Sequence, residues 1–244
     1  MRIALISDIH GNLVSLDAVL ADIRQQHVDQ IICLGDVATL GPQPKEAISR
    51  LRELACPCIM GNHDAFLLDP QLIQAYMDAP WFADSVKWCI NQLSPEDFHF
   101  VRSFEPFIEV PLAARAPLLC FHGSPKSNTD LLLATTPPPA LDQILAGYQA
   151  TAMIGGHTHV QMMRRHKDLL VINPGSVGMP FEQARFDKAP RFLPWAEYAI
   201  VSWSDGHLDV GLRQIKVNLN EVKQAAMASE MPDAKEWVSN WIAP

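Results

Sequence analysis

The sequence has little of what secreted, membrane-spanning or nucleic-acid-binding proteins require. Its five cysteines are scattered over 244 residues, which argues against a disulfide framework of the secreted kind. No apolar run approaches the roughly 20 residues that span a bilayer, and the apolar stretch after Met1 is too short for a secretory signal. Only 19 lysines and arginines accompany 27 acidic residues, so no basic stripe is available for a phosphate backbone. We therefore expect a cytoplasmic protein with no membrane partner, and the composition disfavours a nucleic-acid partner.

The hydrophobic pattern predicts strands that alternate with helices, in one domain that spans residues 1–244. Apolar residues at 48% and charged residues at 19% suit a globular enzyme with a sizeable core. Strands are predicted at Arg2–Ser7, Gln30–Leu34, Pro57–Met60, Pro117–Phe121, Thr151–Ile154 and Leu169–Ile172, helices at 13–23, 47–54 and 137–148, an antiparallel hairpin at Glu197–Trp203 and Leu208–Ile215, and a helical tail at about 218–241.

The segment at about 65–114 differs from the rest because it is rich in aromatic residues in mostly helical patterning. Ser94-Pro95-Glu96-Asp97 within it is a predicted helix start, with Ser94 as the N-cap and Asp97 at the third helical position. Two interpretations stay open for this segment. It either forms a lid over a site or packs as ordinary helices against the sheet, as aromatic residues at helical spacing usually do.

Five short segments place potential metal ligands directly after apolar runs. Ligands gather beyond the carboxyl ends of strands in α/β sheets, so these segments are expected to meet at one point and to form a metal centre. Gly123, Gly155 and Gly156 are then either needed where the backbone passes close to the metals or are simple turn residues. The segments are Asp8-Ile9-His10, Gly35-Asp36, Gly61-Asn62-His63-Asp64, His122-Gly123 and Gly156-His157-Thr158-His159.

Taken together, these five segments resemble the signature of calcineurin-like metallophosphoesterases. Phe121–Pro125 and Ile172–Gly178 are further similar to the compact bacterial and archaeal branch of that superfamily. The resemblance covers most of the chain. It implies a mixed α/β (α+β) fold, a β-sandwich of two mixed sheets flanked by helices in four αββα layers, with the metal site at the carboxyl ends of strands.

The resemblance also implies a centre of two divalent metal ions. Carboxylate, imidazole and amide ligands suit Mn²⁺, Fe, Ni²⁺ or Zn²⁺, and the sequence does not choose among them. A hydroxide that bridges the ions would be the nucleophile. By resemblance, Asp8, His10 and His159 would hold one ion, Asn62, His122 and His157 would hold the second, and Asp36 would bridge both.

By the same resemblance His63 does not bind metal but donates a proton to the leaving alcohol. Asp64 would orient the His63 imidazole and hold it protonated. The positive charge of two divalent ions would exceed the negative charge of their ligands, which favours a small phosphorylated substrate.

The remaining histidines and several basic residues have no such setting in the sequence. His27, His99, His166 and His207 are expected at helix ends, packing positions or turns. Each of five basic residues is either a substrate-binding residue or, as is more usual, a solvated surface charge. They are Lys126, Arg164, Arg165, Arg185 and Arg191.

The sequence departs from the protein serine/threonine phosphatases of the superfamily. They place Asp-Arg-Gly shortly after Gly-Asp, where this chain has Val37–Gly41, so protein phosphatase activity is disfavoured. We predict instead a metal-dependent phosphoesterase acting on a small phosphomonoester or phosphodiester, nucleotides included. Two alternatives remain. One is a binding scaffold, as in a retromer subunit that resembles this family, and the other is a nuclease, which should show a basic groove.

Overall fold

The computed structural model describes residues 1–77, 79–113, 116–183 and 190–242. The strands in these ranges are β1 Arg2–Ile6, β2 Gln30–Cys33, β3 Phe107–Ala113, β4 Ala116–Phe121, β5 Ala152–Ile154, β6 Met162–His166, β7 Leu169–Asn173, β8 Trp195–Ser204 and β9 His207–Lys216. The helices are α1 Leu13–Ile23, α2 Pro44–Leu54, α3 Asn62–Leu68, α4 Leu72–Tyr76, α5 Pro80–Gln92, α6 Pro95–Arg102, α7 Pro138–Leu145, α8 Leu219–Ala228 and α9 Ala234–Ser239.

The strands form two mixed sheets. The first has the order β2-β1-β8-β9, in which β1 and β2 are parallel and the other pairs are antiparallel. The second has the order β3-β4-β5-β7-β6, in which the three central strands are parallel and both edge strands are antiparallel to their neighbours. The carboxyl ends of β1, β2, β4 and β5 are therefore free to carry a site.

Side-chain alternation along the strands builds the layers. In β1, Ile3 and Leu5 face the second sheet and share a core with its strands, whereas Ala4 and Ile6 face the helices on the other side. The outer face of the second sheet packs against α7 through residues that include Leu141. The molecule thus has four layers, helices, sheet, sheet and helix, and the predicted αββα sandwich is confirmed.

Several local predictions agree with the structure. The Ser94 side chain accepts a hydrogen bond from the Asp97 backbone at the start of α6, and Asp97 in turn accepts from the Ser94 backbone. Asp205-Gly206, with φ values of 51° and 78°, forms the two-residue turn between β8 and β9. In the C-terminal tail, the rings of Trp237 and Trp241 pack with their centroids 5.6 Å apart.

Other predictions were wrong in detail. The predicted strand at 57–60 makes only two isolated bridges, from Cys58 to Cys33 and from Ile59 to Glu105. Residues 107–113, expected to continue the helical segment, form the edge strand β3, and the edge strand β6 was not predicted at all. Helix α7 ends at Leu145, short of residue 148, whereas the predicted helical tail is present as the two helices α8 and α9.

The cysteines are free thiols, in agreement with the sequence. Within the described ranges, no helix has both the length and the apolar character to cross a membrane.

Candidate metal centre

The candidate ligands converge at the ends of strands from both sheets. Asp8 and His10 follow β1, Asp36 follows β2, His122 follows β4, and His157 and His159 follow β5, while Asn62 begins α3. All seven are buried, and none is more than 6% exposed. The sequence predicted their convergence, and the structure shows that they meet where strands of both sheets end.

Seven side chains form two groups that share Asp36. In the first group, Asp8 Oδ1 lies 3.3 Å from His159 Nε2, and Asp36 Oδ2 lies 3.8 Å from His10 Nε2. In the second, Asp36 Oδ2 lies 3.2 Å from His122 Nε2, whose other neighbour is Asn62 Oδ1 at 3.0 Å. His157 also belongs to the second group, because its ring nitrogen lies within 4.8 Å of the Asp36 and His122 ligand atoms. The structure thus brings together all the ligands that the sequence indicated.

Backbone carbonyl groups fix the histidine rings so that their Nε2 atoms face one another. The Nδ1–H groups of His10, His122 and His159 donate to carbonyl oxygens at 3.0, 2.8 and 2.7 Å. A carbonyl oxygen only accepts, so the neutral rings carry their proton on Nδ1 and present a lone pair at Nε2. His10 Nε2 and His159 Nε2 nevertheless lie only 3.0 Å apart. Two lone pairs at this distance repel each other unless a proton or a metal ion lies between them.

Buried polar atoms without a hydrogen-bond partner point to the same conclusion. Among the described residues, the orphaned atoms include Asp8 Oδ1, Asp36 Oδ2, Asn62 Nδ2 and His157 Nε2. Native proteins rarely leave such groups unsatisfied, because each costs about 1–3 kcal/mol. Metal ions would satisfy the carboxylate and imidazole atoms directly. The residues present therefore fit two divalent metal ions.

The electrostatics of the centre favour bound positive charge. Burial alone would raise the pKa of Asp36, but the imidazoles of His122 and His63 outweigh it and hold the pKa well below its usual range. Burial likewise opposes ionisation of Asp8, yet the neighbouring His159 lowers its pKa to about 2. Burial lowers the His122 pKa, but the Asp36 charge reverses this and raises it to about 9. Two anionic carboxylates thus stay buried among imidazoles and attract positive charge, which is a proton on His122 Nε2 without metal and which a bound metal ion would replace.

The backbone at the centre is strained. Five of the candidate ligands adopt φ between 47° and 68°, a region that residues other than glycine rarely enter. Each such residue costs on the order of 1 kcal/mol or more and persists only where the surrounding structure imposes it. Strain of this kind clusters at functional sites, and it was not visible in the sequence. The five residues are Asp8, His10, Asp36, His157 and His159.

Polar side chains of the 173–178 loop support the ligand backbone. Asn173 Nδ2 donates to Gly156 O at 2.6 Å, and Ser176 Oγ donates to Asp8 O at 2.7 Å. From the other side, Asn12 Nδ2 donates to Gly178 O at 2.9 Å. These bonds connect the loops after β1, β5 and β7, which gives the Ile172–Gly178 motif a structural role.

His63 lies beside the cluster, but its partner differs from the prediction. Asp64 was expected to orient the His63 ring. Its carboxylate instead accepts backbone N–H groups of Asp36, Val37 and Gly61 at 2.7–3.0 Å, and burial with the Asp36 charge raises the Asp64 pKa to about 7. The Asp64 prediction was therefore wrong in its contact: Asp64 ties together the two loops that carry Asp36 and Asn62.

Thr39 occupies the position that was assigned to Asp64. Its Oγ1 lies 2.7 Å from His63 Nδ1, and its backbone carbonyl accepts from His10 Nδ1. Burial lowers the pKa of His63 to about 4, so the ring is neutral at pH 7. A threonine hydroxyl can donate to the neutral ring and accept from the protonated ring, so Thr39 suits both states. No local signal in the sequence distinguished this residue.

The other polar residues named from the sequence lie away from the cluster or serve structural contacts. His166 pairs with Asp142 at 2.7 Å, and His27 follows α1 with a φ of 50°. Arg164 donates to three backbone carbonyls, and Lys126 donates to Gln143 O. Arg191 pairs with Glu182 at 3.4 Å, His99 lies in α6, His207 begins β9, Arg165 lies in β6, and Arg185 lies outside the described residues.

Replacing Gly156 with alanine is expected to weaken metal binding by roughly 10- to 100-fold. A Cβ at this position would lie 2.7 Å from Asp8 Oδ2 and would also meet Ser7 Oγ, so the Asp8 carboxylate must shift. The Gly155 and Gly123 positions are instead crowded by Phe121 and by the 128–130 backbone. Calorimetric titration with Mn²⁺ measures the effect. Gly211→Ala is the matched control, because nothing lies within 4 Å of its Cβ position. Equal affinity for Mn²⁺ in the two variants would contradict the close approach of the Gly156 backbone to the Asp8 carboxylate.

Comparison with known proteins places this geometry in a family. The family model described as the calcineurin-like phosphoesterase superfamily domain matches residues 1–192. An uncharacterised protein of Methanocaldococcus jannaschii is 29% identical over 193 residues, which cover 73% of this chain and 76% of that protein. The phosphodiesterase YfcE of Escherichia coli K12 is 26% identical over 190 residues, with coverage of 74% and 81%. The crystal structure of a metallophosphoesterase from Sphaerobacter thermophilus is 24% identical and superposes with a TM-score of 0.73 over 98% of both chains.

Proposed function

The chain belongs to the calcineurin-like phosphoesterase superfamily, and we propose on that basis that it is a dinuclear-metal-dependent hydrolase of small phosphomonoesters or phosphodiesters. The observation that carries this proposal is the pair of buried ligand groups that share Asp36. A shared carboxylate is what holds two ions close enough to act on one phosphoryl group. The phosphodiesterase name of the Escherichia coli relative favours a diester among the candidate substrates.

The proposed ligand sets follow from the two groups. Asp8, His10 and His159 would hold one ion, Asn62, His122 and His157 would hold the other, and Asp36 would contact both. When bound, the two ions would act as Lewis acids on the phosphoryl oxygens and activate a water molecule for attack. The donors are oxygen and imidazole nitrogen without thiolate, which suits Mn²⁺, Fe, Ni²⁺ or Zn²⁺.

His63 is proposed as the general acid. Its ring centroid lies 4.9 Å from that of His10, and its Nε2 makes no hydrogen bond with a described residue, so this nitrogen is free to meet a substrate oxygen. The neutral ring must gain a proton on substrate binding, and the negative charge of a phosphoester favours that. Thr39 would hold the ring in place while the proton passes from Nε2 to the leaving oxygen.

If the chain were only a binding scaffold, we would expect some of the candidate metal ligands or the proposed general acid His63 to be replaced by other residues. All seven ligands, His63 and the supporting hydrogen bonds are present, which favours catalysis. A nuclease would need a basic groove, and the chain carries a formal net charge of −8.

Hydrolysis is expected to disappear on treatment with a chelator and to return on addition of a divalent metal. The test measures turnover of 4-nitrophenyl phosphate and bis(4-nitrophenyl) phosphate after dialysis against chelator, with Mn²⁺, Zn²⁺, Ni²⁺ or Fe²⁺ added back in turn. Activity that returns with metal supports the proposal, and the ratio of the two substrates separates monoesterase from diesterase. A chelated protein that keeps its full activity, or a metal-loaded protein with none on either ester, would contradict it.

A further inference from the structure

Helices α4 and α5 carry an exposed apolar surface next to the candidate centre. Among the described residues eight large apolar side chains are exposed, and four of them fall within residues 72–81. Soluble proteins rarely expose clustered apolar side chains without a binding role. The four residues are Leu72, Tyr76, Met77 and Trp81, and Trp81 is 54% exposed.

This surface is continuous with both halves of the site through ring contacts. The Tyr76 ring lies 6.4 Å from that of His157, which is a candidate ligand of the second ion. The Trp81 ring lies 5.6 Å from that of Phe82, and the Phe82 ring lies 5.2 Å from that of His63, the proposed acid. Tyr76 therefore lies beside a candidate ligand, and Trp81 lies one ring away from the proposed acid, with the buried Phe82 between them.

Two buried rings fix the surface in place. Phe66 and Phe82 are each 2% exposed, and their rings pack in a T-shaped contact 5.9 Å apart. Tyr76 packs on both of them, with its centroid 5.2 Å from Phe66 and 6.2 Å from Phe82. Phe66 also contacts His63 at 5.3 Å. The packing interpretation of the aromatic segment thus holds for its buried rings, while Tyr76 and Trp81 are 37% and 54% exposed.

We propose that Tyr76 and Trp81 form a subsite for an aromatic leaving group, so that the preferred substrates are phosphoesters of aryl or nucleoside-like alcohols. This inference rests on the proposed function, because it places the leaving group on the His63 side of the centre. A flat ring suits the surface, since aromatic pairs favour offset or edge-to-face contacts at centroid separations of about 4.5–7 Å. The surface is also apolar, and a small alkyl group would cover little of it and would therefore gain little binding affinity.

The test compares two non-hydrolysable probes, phenylphosphonate and methylphosphonate, by calorimetric titration of the Mn²⁺-loaded full chain at a pH where both are dianions. The wild-type protein is expected to bind the phenyl probe about tenfold more tightly, a preference in the range of aromatic contacts. In Trp81→Ala and in Tyr76→Leu the preference should fall to about threefold or less, whereas Tyr76→Phe should keep it. Trp81 is the primary variant because it is largely exposed and its replacement does not threaten folding.

Met227→Ala is the matched control, since Met227 is 51% exposed on α8 and contributes no aromatic ring. It should retain the phenyl preference. Equal binding of both probes to wild type would overturn the subsite while leaving the proposed function intact, because that function is tested separately by metal-dependent turnover. Failure of both probes to bind would overturn the subsite as well. A third outcome would also overturn the subsite. If Trp81→Ala kept the preference for the phenyl probe and Trp81→Glu changed the molar mass measured by light scattering, the surface would be a contact between copies of the chain.

Discussion

Replacing Asp36 with asparagine is expected to abolish metal-dependent hydrolysis and to lower metal content from two ions per chain to at most one. Asparagine is nearly isosteric and can still accept the His63 backbone N–H, which lies 2.9 Å from Asp36 Oδ1. It removes the negative charge at Oδ2, the atom shared by the two ligand groups. Bound metal ions would supply several kcal/mol of transition-state stabilisation, so the rate should fall by roughly a thousandfold or more.

The measurement for this variant combines metal analysis with steady-state kinetics under saturating Mn²⁺. Asp142→Asn provides the control, because Asp142 pairs with His166 and Lys167 and is not one of the candidate ligands. Its activity and metal content should match those of wild type. An Asp36→Asn protein that kept two ions and its rate would show that Asp36 is not shared between them.

Replacing His63 with alanine is expected to slow hydrolysis selectively for poor leaving groups. A general acid contributes about 10²- to 10⁴-fold, and only where the leaving oxygen needs a proton. A 4-nitrophenyl ester, whose leaving group is stable as an anion, should lose much less than an alkyl ester. The measurement is kcat for a series of esters with increasing leaving-group pKa. Equal losses across the series would mean that His63 positions the substrate without donating a proton.

Thr39 variants test whether the hydroxyl holds His63 in place. Thr39→Val keeps the shape but removes the hydrogen bond to Nδ1, so it should show the same dependence on leaving group as His63→Ala with a smaller loss. Thr39→Ser restores the hydroxyl and should restore the rate.

His207→Ala is the control for the His63→Ala variant. It also removes a histidine side chain, but His207 is exposed at the start of β9.

The convergence of the candidate ligands could be predicted because its signal is local and repeated. Each of the loops after β1, β2, β4 and β5 begins directly beyond an apolar run, and parallel strands bring their carboxyl ends to one side. Asn62 also lies in the cluster, although no regular strand precedes it, because residues 57–60 make only isolated bridges. The resemblance of the motifs supplied the roles, which local pattern alone would not have given.

The edge strands were missed for different reasons. In β3, Val110 and Leu112 are buried between exposed neighbours, a period of two that the aromatic residues before it obscured, and Pro111 lowers the strand signal. In β6 the polar run of Arg164, Arg165 and His166 shows no clean alternation, because the strand pairs only with β7. Edge strands of this kind depend on their neighbour more than on their own sequence.

The environment of His63 could not be predicted because it depends on tertiary contacts. Asp64 is adjacent in sequence, but its position in the first turn of α3 directs its carboxylate to backbone N–H groups of the neighbouring loop. Thr39 is 24 residues away and reaches the ring from the loop after β2. The positive φ of Asp36 and His10 in turn depends on loops that meet only in the folded chain.

The most direct test of the account is anomalous X-ray scattering from crystals of the protein grown with Mn²⁺. We predict two peaks about 3.5–4 Å apart, the spacing of two-metal phosphoesterase sites, with the Asp36 carboxylate between them. Asp8, His10 and His159 should surround one peak, and His122 and His157 the other. A single peak, or no peak within this cluster in crystals saturated with the metal, would contradict a two-metal centre that shares Asp36.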